Sequence, residues 1–124
     1  GQRILFLDDE APLVDLSVRM LKRLGYQVDA FTHPNASLAA FCADPKRYDM
    51  VITDLHMPGM SGLEFAQGVR KLSSKVPIVL SSGYMSDDIA QKARGIGITQ
   101  LLHKPSSLQD FSESIGGVFK TKQP

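Results

Sequence analysis

The sequence predicts an α/β fold, a parallel sheet of five short strands with helices on both faces. Three observations carry this reading. Apolar runs alternate with helical stripes five times along the chain. The runs are continuous rather than alternating, which is how strands buried on both faces read. Each strand–helix repeat takes about 25 residues, which leaves room only for tight loops. There is no internal sequence repeat, low-complexity segment or linker.

The elements follow in order. Arg3–Leu7 is an apolar strand ended by Asp8-Asp9-Glu10. Pro12 suits the first turn of a helix, where its missing N–H costs nothing. Leu13, Leu16, Met20, Leu21 and Leu24 then form a helical stripe that stops at Gly25. Gln27–Phe31 is the second strand, His33-Pro34-Asn35 a break, and Ala36–Ala43 a short helix that Pro45 ends. Cys42 on that helix reads as a small core residue. Met50–Thr53 is the third strand, ending at Asp54. Met57-Pro58-Gly59-Met60-Ser61-Gly62 is a loop, and Leu63–Leu72 a helix with Gly68 weakening its middle. Pro77–Ser81 is the fourth strand. Ser86 or Asp87 caps a helix through Ala93, and Gly95 and Gly97 frame a turn. Thr99–Leu102 is the fifth strand, and Leu108–Phe119 the last helix, with a frayed polar tail from Lys120 onward.

Composition narrows the function. A chain of 124 residues is one domain, here expected to span 1–124, with no room for separate cofactor and substrate lobes. The net charge of +1, from 14 basic and 13 acidic residues, gives no reason to expect nucleic acid or an anionic membrane as partner. One cysteine excludes an internal disulfide framework and a cysteine-built zinc site, and fits a reducing, cytoplasmic setting. No apolar run approaches the roughly 20 residues of a membrane span. The chain opens on Gly1 with a strand almost at once, which reads as a domain cut from a longer polypeptide, although proteolytic processing would look the same.

Open α/β sheets bind ligands outside the carboxyl ends of their strands. Asp8 and Asp9 stand at the end of the first strand, Asp54 at the third, Ser81-Ser82 at the fourth and Lys104 at the fifth. The acids converge if the first strand lies beside the third. Three converging carboxylates resist ionising together unless a cation relieves them. All-oxygen ligands favour Mg²⁺ or Mn²⁺ over zinc. Such an ion together with Lys104 brings the site to neutrality. A phosphoryl group arriving there meets metal, ammonium and hydroxyl, and a carboxylate can attack its phosphorus to form an acyl phosphate. Singly, Asp8, Asp9 and Glu10 read as helix-capping acids, Asp54 as a turn residue, Ser82 as a cap hydroxyl and Lys104 as a surface lysine. Their joint occurrence argues for the site, with Glu10 left solvated. Ser82 rather than Ser81 is placed in the site because Gly83 follows it. His33 and His103 read as surface residues.

An acid pair, then Asp54 before Met-Pro-Gly-Met-Ser-Gly, then Ser82-Gly83, then Lys104-Pro105, each at a strand end, resembles the receiver domain of two-component response regulators. The resemblance covers the whole chain. It implies a flavodoxin-like doubly wound (βα)5 fold, with strand order 2-1-3-4-5. It also implies that Asp54 accepts a phosphoryl group from a phosphohistidine and that Asp8, Asp9, Asp54 and the backbone carbonyl of His56 hold Mg²⁺ (or Mn²⁺). Ser82 and Lys104 would bind phosphate oxygens, and the bond before Pro105 would be cis. The implied partners are a histidine kinase or a histidine phosphotransfer domain. The domain would assist its own phosphorylation and dephosphorylation without being a stand-alone enzyme, and a monomer is expected.

Two positions depart from the family pattern. Leu101 stands where many receivers carry an aromatic switch residue, and Ser82 where threonine is usual. The expectation is a weak or unconventional output, with the domain serving mainly as a phosphoryl relay or sink. The opening residues suggest the C-terminal receiver of a hybrid sensor kinase, in the cytoplasmic portion of a membrane-bound protein. Two other readings remain open: a Mg²⁺-dependent phosphatase with an aspartyl-phosphate intermediate, and an interaction module that works without phosphate. The first wants an acid two residues after the nucleophile, where this chain has His56.

Overall fold

A computed structural model describes residues 2–104 and 107–122. Five strands, β1 (Arg3–Leu7), β2 (Gln27–Phe31), β3 (Met50–Asp54), β4 (Ile78–Ser82) and β5 (Gln100–His103), alternate with five helices, α1 (Ala11–Arg23), α2 (Pro34–Ala43), α3 (Gly62–Leu72), α4 (Asp87–Ile96) and α5 (Leu108–Lys122). All pairings are parallel, in the order β2-β1-β3-β4-β5. This is the expected doubly wound sheet.

Strand geometry sends successive side chains to opposite faces, and both faces of the three central strands β1, β3 and β4 are dry. Ile4, Phe6, Met50, Ile52 and Val79 join the core made with α1 and α5, where Leu21, Phe111 and Ile115 are buried. Their neighbours Leu5, Leu7, Val51 and Ile78 join the opposite core with Phe41 of α2 and Phe65 of α3. A smaller cluster of Leu55, Leu80 and Ala93 holds α4. This two-sided burial is why the runs are continuous in sequence.

Several boundaries differ from those expected. Pro34 opens α2 instead of breaking the chain before it, because proline suits a first helical turn. Cys42 is exposed, not core, since α2 turns Ser37 and Phe41 inward and Cys42 falls on the next face. A short 3₁₀ turn, Pro45–Arg47, follows α2. Helix α4 passes Ala93 and Gly95 and ends at Gly97, whose φ of 90° supplies the left-handed cap. Helix α5 runs to Lys122, where a tail was expected from Lys120, because no proline or glycine interrupts it there. Strands β3, β4 and β5 end one residue later than expected.

Edge strand β2 is pinned by charge. Asp29 accepts bonds from Arg3 Nη1 at 2.8 Å, Arg47 Nε at 3.0 Å and Tyr48 Oη at 2.8 Å. Burial alone pushes the Asp29 carboxyl up, but the Tyr48 and Arg47 bonds and the Arg3 charge outweigh it and hold it below the usual value. A depressed folded value gives stability that is present above the unfolded value of about 3.9 and lost as pH falls through the folded one. Asp29→Asn is therefore expected to lower stability at neutral pH by about 1 kcal/mol. Urea unfolding at neutral and strongly acid pH checks this: the variant's loss shrinks in acid, and a loss that is equal at both pH values contradicts the assignment.

Candidate functional site

Asp8 stands one residue past β1 and Asp54 ends β3. Ile4 and Phe6 point into the α1/α5 core, and so do Met50 and Ile52. Period two carries Asp8 and Asp54 onto that same side. With β1 beside β3, the two carboxylates become neighbours at the top of the sheet. Both are buried, at 2% and 6% exposure. Asp9 stands more open beside them. The three acids offer carboxylate oxygens that lie within 4.8 Å of one another.

Lys104 reaches this group from the end of β5. Its Nζ donates to Asp8 Oδ2 at 2.7 Å and lies 2.9 Å from Asp54 Oδ1. The other oxygen of Asp8 accepts the Glu10 N–H at 3.0 Å, which orients the carboxylate just before α1 begins. Burial pushes the Asp54 carboxyl above its usual value; the Lys104 bond opposes this, while Asp8 and Asp9 add to it. Burial works against the Lys104 charge, but its bonds to Asp8 and Asp54 outweigh that and hold the ammonium above its usual value. Three carboxylates against one ammonium leave the ionised group short of two positive charges.

The loop after Asp54 is held by α3. Ser61 caps the helix: its hydroxyl accepts the Glu64 N–H, and the Glu64 carboxylate accepts the Ser61 N–H, each at 3.2 Å. Gly62, the first helical residue, donates its N–H to Leu55 O at 2.8 Å. It packs so closely that a Cβ there would collide with the Asp54 carbonyl oxygen and press on Leu55 Cα and the Leu80 side chain. Gly62 thus seats Asp54. In the sequence it is one more residue of the Met57–Gly62 loop, with nothing local to mark the contact.

The structure brings together Asp8, Asp9, Asp54 and Lys104. It buries Ser82 at the end of β4, but its hydroxyl donates to Tyr84 O at 2.6 Å and accepts the Tyr84 N–H at 3.2 Å. Ser81, passed over in the sequence, lines a cleft with Asp8 and Lys104. His33, His56 and His103 are exposed. Leu101 is 39% exposed on β5, in register with Leu80. Pro105 lies outside the described residues.

The response regulator receiver domain model matches residues 4–116. The chain belongs to the response regulator receiver family. This receiver domain is 34% identical over 82 residues to the two-component response regulator ARR14 of Arabidopsis thaliana, a match covering 66% of the chain and 22% of that protein. It is 27% identical over 119 residues to the sensor histidine kinase AruS of Pseudomonas aeruginosa, covering 93% of the chain and 12% of that protein. The receiver domain thus spans only a small part of these curated relatives. A solved response regulator receiver domain protein from Clostridium thermocellum superposes with a TM-score of 0.92 at 27% identity, covering 99% of this chain and 98% of that one.

The receiver's donor set is all oxygen and short of positive charge, so its chemistry fits a hard divalent cation. Among the described residues, no helix is long and apolar enough to cross a membrane.

Gly62→Ala tests the seat of Asp54. The added methyl is expected to cost about 1–3 kcal/mol of stability, because the atoms it strikes are backbone and a buried leucine. Chemical denaturation measures this; a variant as stable as the parent contradicts the close approach.

Proposed function

We propose that Asp54 is the phosphoacceptor of a receiver spanning residues 1–124 and that Asp8, Asp9 and Lys104 serve its phosphorylation. The observation that carries this is Lys104 bridging two buried carboxylates at adjoining strand ends. A buried acid that is both a neighbour of other acids and held by one movable ammonium is poised to trade that ammonium for an incoming group.

The donor is a phosphohistidine on a histidine kinase or a histidine phosphotransfer domain. An Asp54 oxygen attacks phosphorus, the P–N bond breaks, and the imidazole leaves with the bonding pair. Lys104 then turns to a phosphoryl oxygen. Ser82 does the same, exchanging its bond to the Tyr84 carbonyl for one to the phosphoryl group. Mg²⁺ (or Mn²⁺), held by Asp8, Asp9, Asp54 and the His56 backbone carbonyl, would supply the missing positive charge to the phosphoryl oxygens. Hydrolysis returns the free carboxylate. The domain positions its own reaction and does not turn over an external substrate, so it is no stand-alone enzyme.

The match to a sensor histidine kinase along 93% of this chain supports a parent protein that is a hybrid kinase. Leu101 supports a relay or sink in place of a switch, because a leucine has no ring to swing and no hydroxyl to bond.

Acetyl phosphate or beryllium fluoride tests the main reading. A stable adduct that needs both Mg²⁺ and Asp54, and is lost in Asp54→Asn, is expected. Sustained turnover of an external phosphate ester would instead support the phosphatase, and an Asp54→Asn variant that still takes the label would refute the acceptor. For the output, only small amide shifts are expected on β5 and α5 when the mimic binds. Large shifts there contradict the relay reading.

A further inference from the structure

We infer that Ser81 is a second hydroxyl of the phosphoacceptor site, one that hydrogen-bonds the Asp54 carboxyl group and speeds loss of the phosphoryl group. The inference rests on the reading of Asp54 as acceptor. Four observations place Ser81 there. It is the register partner of Asp54 on the neighbouring strand, and register partners in a parallel pair point their side chains to the same face. Val79, two residues earlier, packs into the α1/α5 core, which puts Ser81 on the face of Asp8 and Asp54. Ser81 lines a cleft of about 360 Å³ together with Asp8 and Lys104. Finally, the residue is 7% exposed, and among the described residues its hydroxyl makes no hydrogen bond, while that of Ser82 is taken up by Tyr84.

The cleft is apolar on the side of Phe6, Leu13 and Phe111 and polar on the side of Asp8, Ser17 and Lys104, so the Ser81 hydroxyl stands where a polar group entering the site can reach it. It gains a new partner when the phosphoryl group arrives. Lys104 leaves Asp54 for a phosphoryl oxygen, and the carboxyl oxygen that carries no phosphorus, the one that would face the metal, loses its ammonium and keeps a lone pair for Ser81.

The consequence is for hydrolysis. Water oxygen bonds to phosphorus while the Asp54 O–P bond breaks. The bonding pair goes to the Asp54 carboxylate, the water proton leaves with inorganic phosphate, and Ser81 keeps its own proton. In a loose transition state negative charge builds on the leaving carboxylate. A hydroxyl aimed at it is worth more there than in the acyl phosphate, so it accelerates release. In the forward step the same carboxylate starts charged and remains largely so at the transition state, so loading is less sensitive.

The test follows the receiver loaded with acetyl phosphate and Mg²⁺, then freed of donor, by 31P NMR. Ser81→Ala is expected to lengthen the acyl-phosphate half-life by about five- to tenfold, the effect of one hydrogen bond of ordinary strength. The loading rate changes by a smaller factor, and Ser81→Thr restores a short half-life. A half-life unchanged or shortened in Ser81→Ala overturns the role, as does a parallel fall in both rates or a Ser81→Thr variant that behaves like alanine. Unfolding curves confirm that each variant is folded; should Ser81→Ala not fold, Ser81→Cys, a near isostere with a weak donor, carries the same expectation. A parent domain that takes no phosphoryl group at all overturns the acceptor reading itself, which distinguishes the two failures.

Discussion

The contact between the Lys104 ammonium and the two buried carboxylates of Asp8 and Asp54 is the constraint on which the rest depends. Burying like charges together is unfavourable, and one ammonium does not compensate three acids. The protein tolerates the arrangement because the sheet forces it. Strand β1 lies beside β3, each strand ends on the α1/α5 face with an acid, and the apolar residues two and four positions earlier are locked into the core. Moving either acid would mean withdrawing Phe6 or Ile52 from that core. The fold thus spends packing stability on holding a poorly balanced site open to a cation and a phosphoryl group.

The same logic explains the surrounding loops. Gly62 brings α3 against the carbonyl of Asp54, and the capping pair of Ser61 and Glu64 fixes where that helix starts. On β4 the two serines divide the work by strand alternation. Ser82 organises the turn to Tyr84, while Ser81 shares a face with the acids. Tyr84 itself is 75% exposed. Helix α4, with only Ala93 fully buried, is held lightly beside this loop.

Much of this was legible in the sequence, for physical reasons. Strands β1, β3 and β4 were readable because two-sided burial demands continuous apolar runs, the half-exposed edge strands β2 and β5 by their place between helices, and the acids because they stood where the central runs stop. Asp8, Asp9 and Asp54 were recoverable from type and position, since a cation site needs oxygen ligands at strand ends, and Lys104 as a positive charge at the end of the fifth strand. What stayed hidden depends on side-chain direction. Cys42 looked like core because α2 has no polar face to set its rotation. Ser82 was preferred to Ser81 by its glycine neighbour, and only the register with Asp54 shows what Ser81 faces. Gly62 was hidden because its importance is a contact with backbone eight residues away, which no local pattern reports.

The central claim is that the site is short of positive charge and that a divalent cation supplies it. The most direct measurement is thermal unfolding across a Mg²⁺ titration, with the parent and Lys104→Met compared. The account predicts that Mg²⁺ raises the Tm of the parent, that it does so at lower concentration in Lys104→Met, where the acids have lost their one internal cation, and that Asp9→Asn weakens the effect. A Tm that is indifferent to Mg²⁺ in both the parent and Lys104→Met would contradict it.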